Sequence, residues 1–361
     1  MPAKGSVLVA MSGGVDSSVA ACLLQEQGYE VVGSHMRLVH LDGVEHGCCG
    51  PAARRDAAEV ARIGGFPFEI CDLTDAFERT VVADFVAEHE AGRTPNPCAR
   101  CNGEIKFGAF LRRADELGIE LVATGHYARA VSDRGRWRLL RATDRTKDQS
   151  YMLHMLGQRE LARSRFPLGS MEKSATRALA ERFGLPVASK PDSQELCFAP
   201  RGEASAALRS LAPHLLREGE VVDTEGRVLA RHAGTAGFTI GQRRGIGASS
   251  PEARYVLEID ASSRRVFVGP ADLLARRGLV ADRVSWTSGG PPPDGPFEAE
   301  VRIRYRGEDV PAVIEPRGGR ISVEFRAPQR AVAPGQSVVV YRGDEVLGGG
   351  RIVESLPVRD G

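Results

Sequence analysis

A strongly apolar run, SVLVAM (6–11), leads without a break into Ser12-Gly13-Gly14-Val15-Asp16-Ser17 and then into the helical pattern DSSVAACLLQEQG (16–28). This junction constrains the fold more than any other feature of the chain. A run apolar at nearly every position suits a strand covered on both faces, and such strands sit in parallel sheets flanked by helices. The alternation then repeats. EVVGSHMRLV (30–39) and FPFEICDL (66–73) read as strands, AARRDAAEVARIGG (52–65) as an amphipathic helix stopped by glycine, and Thr74 as the cap of DAFERTVVADFVAEHEAG. The turn-rich RTPNPCARCN precedes a helix, EIKFGAFLRRADELG, and a strand, ELVATGHYA (120–128). Repeated βα units with short links predict a doubly wound parallel sheet, with ligands beyond the carboxyl ends of its strands.

At 361 residues the chain is too long for one ordinary domain. Residues 144–185 read mainly as helix, and VASKPDSQELCFAP as a loop. Beyond about 205 the texture changes to period-two stretches such as YVLEIDASSRRVFVG, FEAEVRIRY and QSVVVYRG, separated by Gly, Asp and Pro turns. The run TSGGPPPDGP (287–296) reads as a linker. Three domains are expected: 1–205, α/β; 206–285, small and mainly β; and 286–361, a C-terminal β-barrel. No stretch approaches the ~20 apolar residues of a membrane span, and the opening residues do not form a secretory leader, so a cytoplasmic protein is expected. The seven cysteines are then not a disulfide framework. Cys22 and Cys71 fall in apolar runs and read as core. A net charge of +1 gives no global attraction to nucleic acid, so any RNA site must be a local patch.

Three segments carry chemistry. In SGGVDS, two glycines let the backbone turn sharply, and the helix start offers N–H groups and a positive dipole end to phosphate. No Walker lysine follows. The motif in this context resembles the pyrophosphate loop of ATP pyrophosphatases, which cut ATP between the α and β phosphates and adenylate a carbonyl oxygen. Met36 and Gly125-His126 fall at neighbouring strand ends. In Arg93-Thr94-Pro95-Asn96-Pro97-Cys98-Ala99-Arg100-Cys101-Asn102, two prolines stiffen a loop presenting Cys98 and Cys101. The Cys-x-x-Cys pair is open to three readings: half a zinc site, whose two further ligands Cys48-Cys49 with His46 could supply, a redox pair at a helix start, or a chance spacing. The third segment is Cys197 in SQELCF.

SGGVDS, RTPNPCARCNGEIKF, ATGHYA, KDQSYML, DSQELCF, TIGQRRGIG, VRIRYRG and APGQSVVVYRGDEVLGGGRI occur in the order found in the tRNA-specific 2-thiouridylases, the MnmA/TrmU family, and the chain resembles that family along essentially its whole length. The resemblance implies an enzyme that spends ATP, with Mg2+, to replace O2 of the wobble uridine of certain tRNAs with sulfur. It implies nucleotide binding by Ala10, Met11, Ser12, Gly13, Gly14, Val15, Asp16, Ser17, Met36 and Gly125. Cys101 and Cys197 would be catalytic, with Cys197 accepting a persulfide from a donor such as a cysteine desulfurase or sulfur relay protein. Asn96, Pro97 and Cys98 would line the target base. His126, Lys147, Asp148, Gln149, Arg304, Tyr305 and Gln336 would contact the anticodon stem-loop. Many members carry aspartate where this chain has Cys98. The third thiol makes a [4Fe–4S] cluster on Cys98, Cys101 and Cys197 an alternative sulfur carrier. Arg100 is expected to favour a nearby thiolate. Period two in VRIRYRG would set Arg302, Arg304 and Arg306 along one strand face as a phosphate-reading stripe, and Arg243-Arg244 would approach the RNA from a turn. Two other functions compete: a pyrophosphate-loop ligase or amidotransferase acting on a small metabolite, and a non-catalytic RNA-binding scaffold. Neither uses both the loop and the cysteines.

Overall fold

The computed structural model describes residues 4–39, 50–192, 197–198, 204–247, 252–292 and 295–358. The first half of the chain supplies strands β1 (Ser6–Ala10), β2 (Glu30–Arg37), β3 (Phe68–Asp72), β4 (Leu121–Ala123), β5 (Ala128–Asp133), β6 (Arg136–Arg141) and β7 (Ser164–Arg165). β1 is buried from Val7 to Ala10 because it has a strand on each side and helices on both faces. The sheet order is β3-β2-β1-β4-β7, and every pairing in it is parallel. The chain builds outward from β1 through β2 to β3, then returns to the other side of β1. The crevice between the carboxyl ends of β1 and β4 is therefore the topological switch point, where such sheets bind ligands.

Helices α1 (Val15–Glu26) and α2 (Pro51–Gly64) and helix Lys173–Arg182 close one face over Val7, Val9, Val19, Ala57 and Ala180. The helical stretch 97–116 closes the other over Leu8, Phe107, Phe110 and Val122. Cys22 and Cys71 are core residues as expected, and burial pushes each thiol up to about 11, far from the reactive thiolate.

Three expected elements differ. The strand at 120–128 ends at Ala123, because the chain must leave the sheet for Gly125 to approach α1. Residues 144–185 hold only short helices, Ser150–Leu153, Gln158–Arg163 and Lys173–Arg182, with β7 among them. The Asp144 carboxylate accepts from Thr146 N at 3.0 Å and Lys173 N at 3.0 Å, a side-chain substitute for helical bonds. The strand through VRIRYRG ends at Arg302, so 303–306 turn away and no three-arginine stripe forms. Arg302 instead meets Asp309 at 3.0 Å. Arg304 donates to the Arg330 carbonyl at 3.2 Å.

The second half is β. Strands β8 (Gly219–Val222), β9 (Val228–His232), β10 (Tyr255–Asp260) and β11 (Arg265–Gly269) form a sheet ordered β10-β11-β8-β9 around Val221, Val256, Val266 and Val268. Strands β12 (Ala275–Trp286), β13 (Phe297–Arg302), β14 (Val310–Arg317), β15 (Arg320–Arg330), β16 (Ser337–Arg342) and β17 (Glu345–Pro357) run β12-β15-β14-β13-β16-β17, and β12 pairs β17 to close a six-stranded barrel. β12 is thus a barrel strand, and a division after residue 285 cuts through it. The β5–β6 hairpin of the first domain joins the barrel sheet through Leu139↔Val346, and Val339, Tyr341 and Val346 share a core with Leu8 and Phe110.

That shared core gives a pH dependence. The His154 ring is buried against Gly349, whose Cβ, if present, would lie 2.6 Å from it, and its Nδ1 lies 2.9 Å from the Tyr151 carbonyl. Burial depresses its pKa to about 4. Between an unfolded value near ~6.5 and about 4, the unfolded chain binds a proton that the native state refuses. Stability should therefore fall as pH drops through this window, by up to about 1.4 kcal/mol per pH unit from this residue. Urea midpoints at pH 7 and 4.5 should differ less for His154→Gln than for the parent. An unchanged difference would assign the acid sensitivity elsewhere.

Candidate nucleotide and sulfur-transfer site

Helix α1 begins where β1 ends, and Gly14 is its N-cap with no side-chain cap bond. The N–H groups of its first turn have no acceptor within the helix. Together with the positive dipole end they form a seat for an anion. The loop is braced internally. Ser12 N donates to Ser17 Oγ at 3.1 Å, and the Ser17 and Ser18 hydroxyls reach the Gly14 carbonyl at 3.2 and 2.9 Å. Gly13 has φ +68°, and a Cβ there would lie 2.1 Å from the Ala53 carbonyl oxygen at the start of α2. A Cβ on Gly125 would lie 2.6 Å from Ser17 N, so Gly125 sits directly against the loop at the switch point. Ala10 and Met11 are buried beneath it, and Met36 is half-buried near the end of β2.

The loop is ringed by cations, of which the sequence marked only Lys147, and that one for RNA. Asp16 accepts from Lys173 Nζ at 2.6 Å and from the Tyr127 hydroxyl at 3.1 Å. Lys173 also meets Asp192 at 2.8 Å, and Asp192 accepts from Lys147 at 2.9 Å and Arg177 at 3.3 Å. Lys190 donates to the Gly13 carbonyl at 2.9 Å and to Asp56 at 2.7 Å. Three of the five lysines in the chain thus gather here. Burial pushes the Asp192 carboxyl up, but the hydrogen bonds from Lys173 and Lys147 outweigh it and hold the group below its ordinary range. Burial and the neighbouring Asp16 charge raise the Tyr127 phenol, so it stays protonated and donating.

Cys101 and Cys197 come from distant stretches yet meet in one apolar cluster with Phe77, Phe85, Ile105 and Phe198. Cys101 is 7% exposed and Cys197 half-buried. Cys101 ends helix Pro97–Cys101, whose N-cap Asn96 accepts from Ala99 N at 3.1 Å. The helix continues as a π-helical stretch, Asn102–Ala109, a distortion common at functional sites. Arg100 pairs with Glu104 at 2.8 Å. Cys98 is exposed. Among the described residues, no three His, Cys, Asp or Glu side chains converge as a metal-ligand set. The cluster expected on Cys98, Cys101 and Cys197 thus finds no preformed ligand set among the described residues. His46, Cys48 and Cys49 lie outside the described residues.

A cavity of about 450 Å³ opens where the three domains meet. Asn96, Pro97, Cys98, Tyr305 and Gln336, all expected near RNA, lie on its wall. Phe85, His89, Met152 and the central-domain residues 236, 237 and 239 complete it, and these the sequence did not mark. Gln336 donates to the Thr94 and Pro95 carbonyls at 2.9 and 3.2 Å, so the barrel braces the loop that leads to Cys101. Arg243 and Arg244 are exposed on a turn. Other expected RNA residues point inward. His126 is buried among Phe107 and Phe166, with its Nδ1 2.7 Å from Thr124 Oγ1, and burial drives its pKa well down. Asp148 is buried beside Arg141 and Arg302. Gln149 accepts from Tyr127 N at 2.9 Å. Lys147 faces Asp192.

Three protein families match successive parts of the chain: the tRNA methyl transferase HUP domain over residues 5–201, the tRNA methyl transferase PRC-barrel domain over 210–270, and the aminomethyltransferase beta-barrel domain over 276–352. The chain is similar to the tRNA-specific 2-thiouridylase MnmA of Acidothermus cellulolyticus, at 48% identity over 97% of this chain and 98% of that one. It is similar to the protein of the same name from Acidithiobacillus ferrooxidans, at 45% identity over 97% and 99%, and to that of Geobacter metallireducens, at 46% over 97% of each. Among the described residues, no helix is long and apolar enough to cross a membrane. With a strand–loop–helix anion seat at the switch point, two distant cysteines in one cluster and likeness sustained from end to end, the chain belongs to the tRNA-specific 2-thiouridylase MnmA family.

Proposed function

We propose that the chain spends Mg·ATP to exchange O2 of the tRNA wobble uridine for sulfur. The observation that carries the reading is the meeting of Cys101 and Cys197 in one cluster of a protein whose first loop is built for pyrophosphate. The chemistry needs both parts. A pyrimidine C2 carbonyl is urea-like, and oxide cannot leave from it. Attack of O2 on the α-phosphorus forms an O2–P bond, breaks the α–β bridge, releases pyrophosphate, and passes the N3 proton to solvent or a base. Sulfur then attacks C2, and AMP leaves with the original oxygen.

In this reading Cys197 carries a persulfide received from a donor protein. Its outer sulfur either attacks C2 directly or leaves as hydrosulfide when the Cys101 thiolate attacks the inner sulfur. Direct attack leaves a C2–S–S–Cys197 bond that the Cys101 thiolate cleaves at the Cys197 sulfur to free the thiolated base, so both routes end in a Cys101–Cys197 disulfide, which an external thiol must reopen. The apolar walls around both sulfurs keep water from competing. The 450 Å³ cavity suits a base flipped from the anticodon loop, with Phe85 and Tyr305 offering ring faces and Asn96 a polar edge. The methyl-transferase wording of the matching domain families leaves the loop and the cysteines without a task.

Pyrophosphate release from ATP should depend on unmodified anticodon stem-loop RNA. Release driven by a small metabolite would favour a ligase, and no release with any partner would favour a scaffold; either result overturns the proposal.

A further inference from the structure

We propose that Lys173 is a nucleotide-binding residue that grips the pyrophosphate portion of ATP, and that Asp192 competes with the phosphates for that lysine. The inference rests on the reading of the loop as an ATP site. Lys173 touches the loop through Asp16 at 2.6 Å, and its side chain is only 11% exposed. It is also held in place. Its backbone N–H donates to Asp144 at 3.0 Å. Thr176, on the same helix, accepts from the Tyr127 hydroxyl at 2.9 Å. The Tyr127 ring lies 5.7 Å from the Lys173 ammonium. An ammonium fixed beside an uncapped helix start adds a full charge to the N–H groups and the dipole of that seat.

Asp192 is the competing anion. Its carboxylate meets Lys173 at 2.8 Å, Lys147 at 2.9 Å and Arg177 at 3.3 Å. Asp192 and Asp16 together set two carboxylates against three cations, which leaves a net positive charge beside the loop. Phosphate oxygens satisfy the same donors with more charge, so they and Asp192 compete for the same cations. Nucleotide binding is then an exchange of anions on Lys173, and removing the Asp192 charge should help the incoming phosphate.

Calorimetric titration of the full chain with inorganic pyrophosphate, Mg·ATP and AMP tests this. The parent should bind all three. Lys173→Met should lose on the order of 30-fold or more in affinity for pyrophosphate and Mg·ATP, with AMP affinity nearly unchanged and Lys173→Arg largely restoring binding. Asp192→Asn should tighten pyrophosphate by at least about 5-fold. A parent that binds neither pyrophosphate nor Mg·ATP would bring down the loop reading itself. With a binding parent, equal affinity in Lys173→Met, or an equal loss for AMP, overturns the lysine assignment alone. Weaker pyrophosphate binding in Asp192→Asn makes that carboxylate part of the binding site and overturns its competing role.

Discussion

Gly13→Ala is expected to cut RNA-dependent pyrophosphate release by on the order of 100-fold or more, the scale of loss that about 1 Å of misplacement causes at a reacting centre. Two effects combine at this position. The backbone has φ +68°, which costs alanine about 1–2 kcal/mol. The new methyl would also lie 2.1 Å from the Ala53 carbonyl oxygen, and that atom is backbone at the start of α2, so one of the two segments must shift. If the loop shifts, the N–H groups of the α1 start lose their aim at the phosphates. The strain can be separated from the clash. Gly65 and Gly118 also have φ +68°, but a Cβ at either meets nothing within 4 Å. Gly65→Ala and Gly118→Ala should lower stability by a similar backbone cost and leave pyrophosphate release intact. If Gly13→Ala behaves like these two, the loop is not in contact with the reacting phosphates.

The parts legible in the sequence are those fixed by local pattern. The strand–SGGVDS–helix junction specified both the turn and its place at the end of a buried strand, because apolar continuity and glycine chemistry act within a few residues. The helix behind Cys101 and the turn-rich β half were readable for the same reason. Lys173 and Lys190 were not, because their partners Asp16, Gly13 and Asp56 lie more than a hundred positions away and only the fold brings them together. The arginines of VRIRYRG mislead for a related reason. Alternation was real up to Arg302, but the strand stopped there, and Asp309 and Asp148 drew that side chain inward. Asp148 and Gln149 follow the same rule: polar residues in an apparently exposed segment were needed to satisfy a buried guanidinium and a backbone N–H. The cavity shows the converse. Phe85 and Met152 look like ordinary core residues in sequence, and only the approach of the central domain and barrel leaves a space beside them.

Cys197→Ser should abolish thiolation, by on the order of 1,000-fold or more, while pyrophosphate release in the presence of RNA stays within a few-fold of the parent. The separation follows from the architecture. Adenylation draws on the β1–α1 loop and its lysines, whereas Cys197 belongs to the Phe77–Phe85–Ile105 cluster, which shares no residue with the core beneath helix Lys173–Arg182. Serine matches the shape but cannot carry sulfane sulfur, so the adenylated RNA would form and wait. Nucleoside mass spectrometry of the RNA and a pyrophosphate assay on the same samples check both halves. Thiolation that survives in Cys197→Ser would remove the residue from sulfur transfer, and loss of both steps would make it structural. Cys101→Ser then decides the route. If hydrosulfide is expelled by Cys101 attacking the inner sulfur of the persulfide, thiolation fails, and Cys197 accumulates as persulfide detectable by mass spectrometry. If the outer sulfur attacks C2 directly, Cys101→Ser traps the RNA as a C2–S–S–Cys197 adduct, and thiolated RNA is freed only when an external thiol cleaves that bond.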